Sequence, residues 1–340
     1  MGTVGFLVIF TIIIALIFDI INGFHDAANS IATVVSTRVL SPRLAVYWAA
    51  FFNFTAMFIF APKVADTVSK IIKIDSIDPI YVYVVLTGLL GAIVWDLITW
   101  WWGLPTSSSH ALIGGLVGAG IAHNGINGIR WHKVVETATF IPLAPIIGII
   151  LGFGFMIGIY WLFRKFKPRE VDNLFRKGQL VSAALYSLGH GGNDAQKTMG
   201  IIVALLVASG SLNPNAKLSL FDSSTSWIII SCQLAIAIGT AFGGWKIVKT
   251  MGMKLTKLKP VHGFCAETAG ACTLFMATQF GIPVSTTHTI AGSIVGVGMT
   301  TNMAGIQWKI AIRIVFAWVL TIPCSAFVSA LCYYILKLFI

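Results

Sequence analysis

Asp26 and Asp194 each stand in a short polar motif inside an otherwise apolar stretch. The first reads Asn22-Gly-Phe-His-Asp-Ala-Ala-Asn29 and the second His190-Gly-Gly-Asn-Asp-Ala-Gln-Lys197. Glycine and asparagine beside a carboxylate predict a break in the helix, with backbone carbonyls released beside the acid. Carboxylate, amide and carbonyl oxygens are hard ligands, suited to a small cation such as sodium rather than to a soft metal. Asn29 follows Asp26 by three residues, so both face one side of a helical turn. Asn193 directly precedes Asp194. Asp and Asn also cap helices. One such motif reads equally well as a cap, and its duplication favours a cation site.

A second pair of motifs has anion chemistry. Residues 105–110 read Pro-Thr-Ser-Ser-Ser-His, and residues 283–288 read Pro-Val-Ser-Thr-Thr-His. Proline ends the preceding helix, and hydroxyl residues open the next. Free N–H groups and the helix dipole at such a start favour an anion. Ser107, Ser108, Ser109, Ser285, Thr286 and Thr287 add hydroxyl donors. Two such starts converging from opposite sides would surround a tetrahedral oxyanion without an arginine. Simple capping is the alternative for either motif alone. The glycines that follow (Gly114, Gly115, Gly118, Gly120; Gly292, Gly296, Gly298) let membrane helices approach closely and are read as packing.

Glu267 and Asp96 are lone carboxylates within apolar spans and are candidates for a gate or secondary ion site. Asp19 and Glu136 are placed nearer span ends and rank lower. Lys197 beside Asp194 reads as an ion pair. His110 and His288 suit proton transfer or hydrogen bonding. His25 and His190 adjoin the Asp motifs at non-equivalent positions, which weakens a shared role. A Ser–His–Asp hydrolase is a poor reading, because Ser109 and His110 are neighbours and do not face each other on a helix. The chain is not expected to be an enzyme.

These motifs need a scaffold that holds ionisable groups within apolar surroundings. Of the 340 residues, 57% are hydrophobic and 10% charged, against about 25% charged in soluble domains. Residues 1–21 carry one charge, Asp19, and residues 141–163 and 226–245 carry none. Each run approaches the roughly 20 residues that span hydrocarbon as a helix, and none alternates as a barrel strand would. The first run has no basic start or small-residue cleavage site and is read as a retained span. The fold class is therefore an all-α polytopic membrane protein. Spans are expected near 3–37 (interrupted), 44–62, 81–102, 133–163, 179–209 (interrupted), 226–246, 262–281 and 307–337, with short or re-entrant helices at 105–122 and 283–300. The five cysteines lie in apolar runs with no metal-type spacing and read as packing residues.

The chain is also a duplication. Residues 105–120 and 283–298 share seven of sixteen positions, and the Asp motifs recur in the same order, at offsets of 178 and 168. The net charge of +11 gathers between spans, which fits cytoplasmic basic loops rather than nucleic-acid binding. The loop at 63–79 balances Lys63, Lys70 and Lys73 against Asp66, Asp75 and Asp78, whereas its counterpart at 246–260 carries five lysines and no acid. Opposite bias in equivalent loops predicts an inverted-topology repeat. The expected organisation is a first transmembrane repeat at 1–163, a basic cytoplasmic linker at 164–178 and a second, inverted repeat at 179–340.

The four motifs, in this order and duplicated, resemble the PiT family of inorganic phosphate transporters. Its Gly-x-Asn-Asp-x-Ala-Asn pattern is matched by Gly23-Phe-His-Asp26-Ala-Ala-Asn29 and by Gly191-Gly-Asn193-Asp194-Ala. The resemblance implies phosphate import by cation symport, most directly with sodium. Proton coupling, carriage of a metal–phosphate complex, sulfate transport and a passive anion channel are the alternatives. It implies that the hydroxyl clusters hold phosphate. The cation would be held by Asp26, Asn29, Asn193 and Asp194, with carbonyls such as that of Ala27. It further implies a homodimer in the plasma or inner membrane, with no cofactor beyond the co-transported ion. His25 departs from the family's first Asn, Gln196-Lys197 stands where the first half has Ala28-Asn29, and Asn53 lies where some relatives carry an acid. The two cation sites are therefore expected to be unequal.

Overall fold

The computed structural model describes residues 3–71, 80–213, 215–301 and 303–339. Lys73, Asp75 and Asp78 of the charge-balanced loop lie outside the described residues. The helices run α1 Thr3–Ser36, α2 Pro42–Thr55, α3 Lys63–Ser69, α4 Ile80–Trp102, α5 Ser108–Asn124 and α6 Trp131–Phe163 in the first half. The second half runs α7 Pro168–Ala208, α8 Ser226–Phe242, α9 Trp245–Lys249, α10 Pro260–Gln279, α11 Thr286–Thr301 and α12 Trp308–Lys337. Much of the basic segment at 164–178 is thus the first turns of α7.

Helices α1, α4, α6 and α12 are long and apolar enough to cross a membrane. Two helix pairs reach that length and apolarity only together, and each is bent at its break. The α2 and α3 segments meet at 85°, and α8 meets the segment Trp245–Lys254 at 60°. Large apolar side chains face outward where lipid would lie, among them Trp161, Phe316 and Phe327 at 66%, 65% and 72% exposure. Helices α7 and α10, where spans are expected at 179–209 and 262–281, are not apolar enough to count among them and lie in the interior. Their polar residues Gln179, Ser182, Asn193 and Glu267 are all buried.

One expectation is corrected. Residues 3–37 and 179–209 are not interrupted at the Asp motifs; α1 and α7 run through them as continuous helices. The glycines there serve approach instead of breakage. A Cβ at Gly23 would collide with the Ile236 carbonyl of α8, and one at Gly191 with the Asn53 carbonyl of α2. A helical glycine costs about 1 kcal/mol relative to alanine, and close packing offsets that. The bends lie elsewhere, in the α2–α3 and α8–α9 pairs.

The two halves exchange partners. Helix α5 packs on α12, and α11 packs on α6. Gly114 and Gly118 of α5 abut Ile322 and Ala326 of α12, while Gly292 and Gly296 of α11 abut Pro145 and Ile149 of α6. The turns that precede the short helices are tied in the same crossed manner. Thr67 of α3 donates to the Gly281 carbonyl at 2.7 Å, and Thr250 beyond α9 donates to the Gly103 carbonyl at 2.9 Å. Both glycines have positive φ, +69° at Gly281 and +65° at Gly103, a conformation that favours glycine. Each turn then delivers its proline two residues later and its hydroxyl cluster after that. The duplication thus holds each short helix between elements of both halves.

Candidate functional site

The starts of α5 and α11 meet at the centre of the molecule. The rings of His110 and His288 lie 4.7 Å apart across the junction. Ser107 accepts from the His110 amide at 3.3 Å, and Ser285 accepts from the His288 amide at 3.2 Å. Both are therefore N-caps, as the plainer reading of these motifs has it. The next hydroxyls point elsewhere. Ser108 shares its single O–H between the Asn22 side-chain oxygen at 2.6 Å and Asp26 at 3.0 Å. Thr286 donates to Asp194 at 3.4 Å, and Thr287 lies 3.5 Å from Asp26. Asn29 donates to Thr286 and Thr287 at 3.2 and 2.8 Å.

Two carboxylates thus stand beside two helix starts. Asp26, His190 and Asp194 each bring a ligand atom within 4.8 Å of the others. Asp26 accepts from or is paired with the His25 ring at 2.7 Å, and the His190 ring lies 3.3 Å from Asp194. Sequence spacing made these histidines look unrelated, yet each attends its own aspartate. His190 sits four residues before Asp194, on the same helical face, and that spacing was the signal available. The ion pair expected of Lys197 is present, at 2.5 Å from Asp194. The whole group is sealed, with Asp26, Ser109 and Lys197 no more than 3% exposed.

Other residues fall differently. Asn193 donates to Thr278 at 3.0 Å and to the Ile282 carbonyl at 3.2 Å, and its oxygen accepts from the Val284 amide at 3.3 Å. It clamps the turn before α11. The Ala27 carbonyl lies inside unbroken α1, so one of its two lone pairs is committed to the helix. Asn53 bridges Thr240 at 2.8 Å and the His190 ring at 3.2 Å. Glu267 forms a separate buried cluster. It accepts from Thr33 at 2.5 Å, from Gln179 at 3.0 Å and from Ser182 at 2.5 Å. Asp96 is buried with neither oxygen hydrogen-bonded among the described residues, and Asp26 and His25 are in its electrostatic surroundings.

Asp19 is the residue that sequence reasoning underrated. It is fully buried, with Thr198, Asn22, Asp194 and Lys197 around it. It lies two helical turns before Asp26, on the same face, although its position along the chain suggests a span end.

Chemically, the arrangement offers hydroxyl and amide donors at two helix starts and carboxylates one bond away. Such an arrangement has the donors to hold an anion and the oxygens to hold a cation side by side, closed to water. A model of the "Phosphate transporter family" matches residues 22–329. The chain belongs to the phosphate transporter family. Its relatives include a probable low-affinity inorganic phosphate transporter of Rhizobium meliloti (strain 1021). It is 54% identical over 325 residues, covering 95% of this chain and 94% of that one. A protein of the same description from Bacillus subtilis (strain 168) is 43% identical, covering 98% of both chains. A solved structure described as "The sodium-dependent phosphate transporter" superposes with a TM-score of 0.88 at 25% identity, covering 98% of this chain and 100% of that one. The family consists of transporters, and this chain is an integral protein of the cell membrane.

Proposed function

We propose that this family member imports inorganic phosphate by symport with sodium. The observation that carries the reading is the bond from Ser108, at the start of α5, to Asp26 on α1. It supports the reading because hydroxyl donors suited to an anion lie beside a carboxylate suited to a cation. Phosphate would be held by the amides and hydroxyls of Ser107, Ser108 and Ser109 together with Ser285, Thr286 and Thr287. The capping oxygens of Ser107 and Ser285 still have O–H groups to donate. Asp26, Asn29 and Asp194 would hold cations, with the second lone pair of the Ala27 carbonyl. Asn193 joins once its oxygen releases the Val284 amide. Glu267 and Asp96 supply a secondary ion site or gate. A multiply charged anion in a closed, low-dielectric site is prohibitively costly without cations beside it. That cost makes coupling obligatory.

The solved relative is described as sodium-dependent, which supports sodium over protons. The test is radiolabelled phosphate uptake into proteoliposomes under an imposed sodium or proton gradient at matched membrane potential. Concentrative uptake with the sodium gradient alone is expected. Uptake with the proton gradient alone would replace sodium by protons. Uptake that sulfate abolishes, or that only equilibrates, would overturn phosphate symport. We infer a homodimer as well, which the mass of the detergent-solubilised protein would test.

A further inference from the structure

The duplication makes Lys197 the counterpart of Asn29, since the Asp motifs repeat at an offset of 168. Asn29 and Lys197 each lie three residues after their aspartate, and each crosses to the hydroxyl cluster of the other half. Asn29 reaches Thr286 and Thr287, and Lys197 reaches Ser109. What they bring there differs. Asn29 leaves its side-chain oxygen without a hydrogen-bond donor among the described residues. The Lys197 ammonium is surrounded by three oxygens: Asp194 Oδ1 at 2.5 Å, the Val284 carbonyl at 2.9 Å, and Ser109 Oγ. One carboxylate, one carbonyl and one hydroxyl form the hard oxygen set that a bare alkali cation takes. An ammonium brings the same single charge on a flexible four-carbon stem.

We propose that Lys197 is a covalently held cation in the second of two repeat-related cation sites. Each phosphate then moves with one mobile cation fewer than it would if residue 197 were asparagine. The ammonium compensates Asp194 and touches Ser109 of the anion cluster, so it stands where a mobile ion would otherwise bridge carboxylate and phosphate. The first half, with Asn29 beside Asp26, keeps a site for an ion that travels. This deepens the symport reading above and rests on it.

The test compares wild-type protein with Lys197→Asn and Lys197→Met in proteoliposomes. The readout is the net charge moved per phosphate, taken from the membrane potential at which uptake reverses. That quantity serves for sodium and protons alike. The asparagine variant is expected to carry one more positive charge per phosphate, and its cation dependence to steepen by about one in Hill coefficient. The methionine variant, which offers neither charge nor ligand, is expected to lose accumulation. An unchanged charge ratio in Lys197→Asn, or wild-type accumulation by Lys197→Met, would overturn the proposal. If Lys197→Asn does not transport, equilibrium binding of labelled sodium to purified wild-type protein decides. Bound sodium that is lost entirely when Asp26→Asn is combined with Glu267→Gln and Asp96→Asn supports a tethered second cation; an ion per chain that survives those changes refutes it. Failure of the wild type to accumulate phosphate with either gradient would instead remove the symport reading, and this inference with it.

Discussion

Ser108 and Asp26 are joined by a 3.0 Å hydrogen bond across two helices that lie 82 residues apart in sequence. The bond couples the two halves of the proposed chemistry, because an anion taken by the Ser108 hydroxyl draws that donor from the carboxylate. Asp26 is then left to a cation.

Asp26→Asn keeps the volume and removes the charge. It should still fold, since Asn accepts from Ser108 as Asp does. Loss of the cation's main attraction should lower concentrative uptake by more than about tenfold, the factor for each 1.4 kcal/mol. Uptake measured in the sodium-gradient assay checks this. Retention of full accumulation would move the coupling site away from α1.

Asp194→Asn should do more harm to stability than Asp26→Asn. It leaves the Lys197 ammonium buried without its carboxylate, and breaking one side of a buried pair costs about 3–5 kcal/mol. The double change Asp194→Asn with Lys197→Gln removes both charges and should recover most of the lost melting temperature. Thermal unfolding of the purified variants in detergent reads the difference. Equal melting temperatures for the two single aspartate variants would contradict it.

The Glu267 cluster predicts a different phenotype. Three donors converge on one carboxylate, from Thr33, Gln179 and Ser182. Glu267→Gln puts an amide donor among them, and each hydrogen bond to a charged group contributes about 1.5–3 kcal/mol. Were the cluster a secondary ion site or gate, the sodium concentration for half-maximal uptake should rise about tenfold or more. The phosphate concentration for half-maximal uptake at saturating sodium should move little. Parallel shifts in both would assign Glu267 to the scaffold.

Glycine placement gives a prediction independent of transport. A Cβ at Gly118 would overlap the Ala326 backbone, whereas one at Gly154 meets nothing within 4 Å. Overpacking a tight contact costs about 1–3 kcal/mol or more, and here the obstacle is backbone. Gly118→Leu should abolish monodisperse protein on size exclusion, and Gly154→Leu should behave as wild type. Similar profiles for the two would show that α5 and α12 are free to separate.

Much of this was legible in the sequence because apolar length and the duplication are long-range signals. Ile80–Trp102, Trp131–Phe163 and Trp308–Lys337 fall within two residues of the expected spans. The hydroxyl motifs also open short helices, as their prolines require. The breaks were misplaced because glycine serves two purposes. At Gly23 and Gly191 it admits a neighbouring helix, which only the packed partners Ile236 and Asn53 reveal. Asp19 was discounted by its position along the chain, although its depth depends on how far α1 is enclosed by other helices. The capping role of Ser107 and Ser285, against the outward hydroxyls beside them, follows from local geometry that residue types alone leave undetermined.

Opposite charge bias in the loops at 63–79 and 246–260 predicts that they face opposite sides of the membrane. Lys246 is held at the second of these ends. It donates to the Trp101 carbonyl at 3.3 Å and lies 3.9 Å above the Trp101 ring. At the other end Lys63 donates to the Gln279 carbonyl at 2.9 Å. The two contacts are counterparts, each joining a lysine in the first turn of a bent segment to the end of a helix in the other half. Single cysteines replacing exposed Lys70, Lys165 and Lys257, in a chain with its five native cysteines removed, separate the possibilities. Positions 165 and 257 should react with an impermeant maleimide only from the cytoplasmic side, and position 70 only from the outside. Labelling of 70 and 257 from the same side would show that the halves insert in parallel, and the inverted repeat would have to be abandoned.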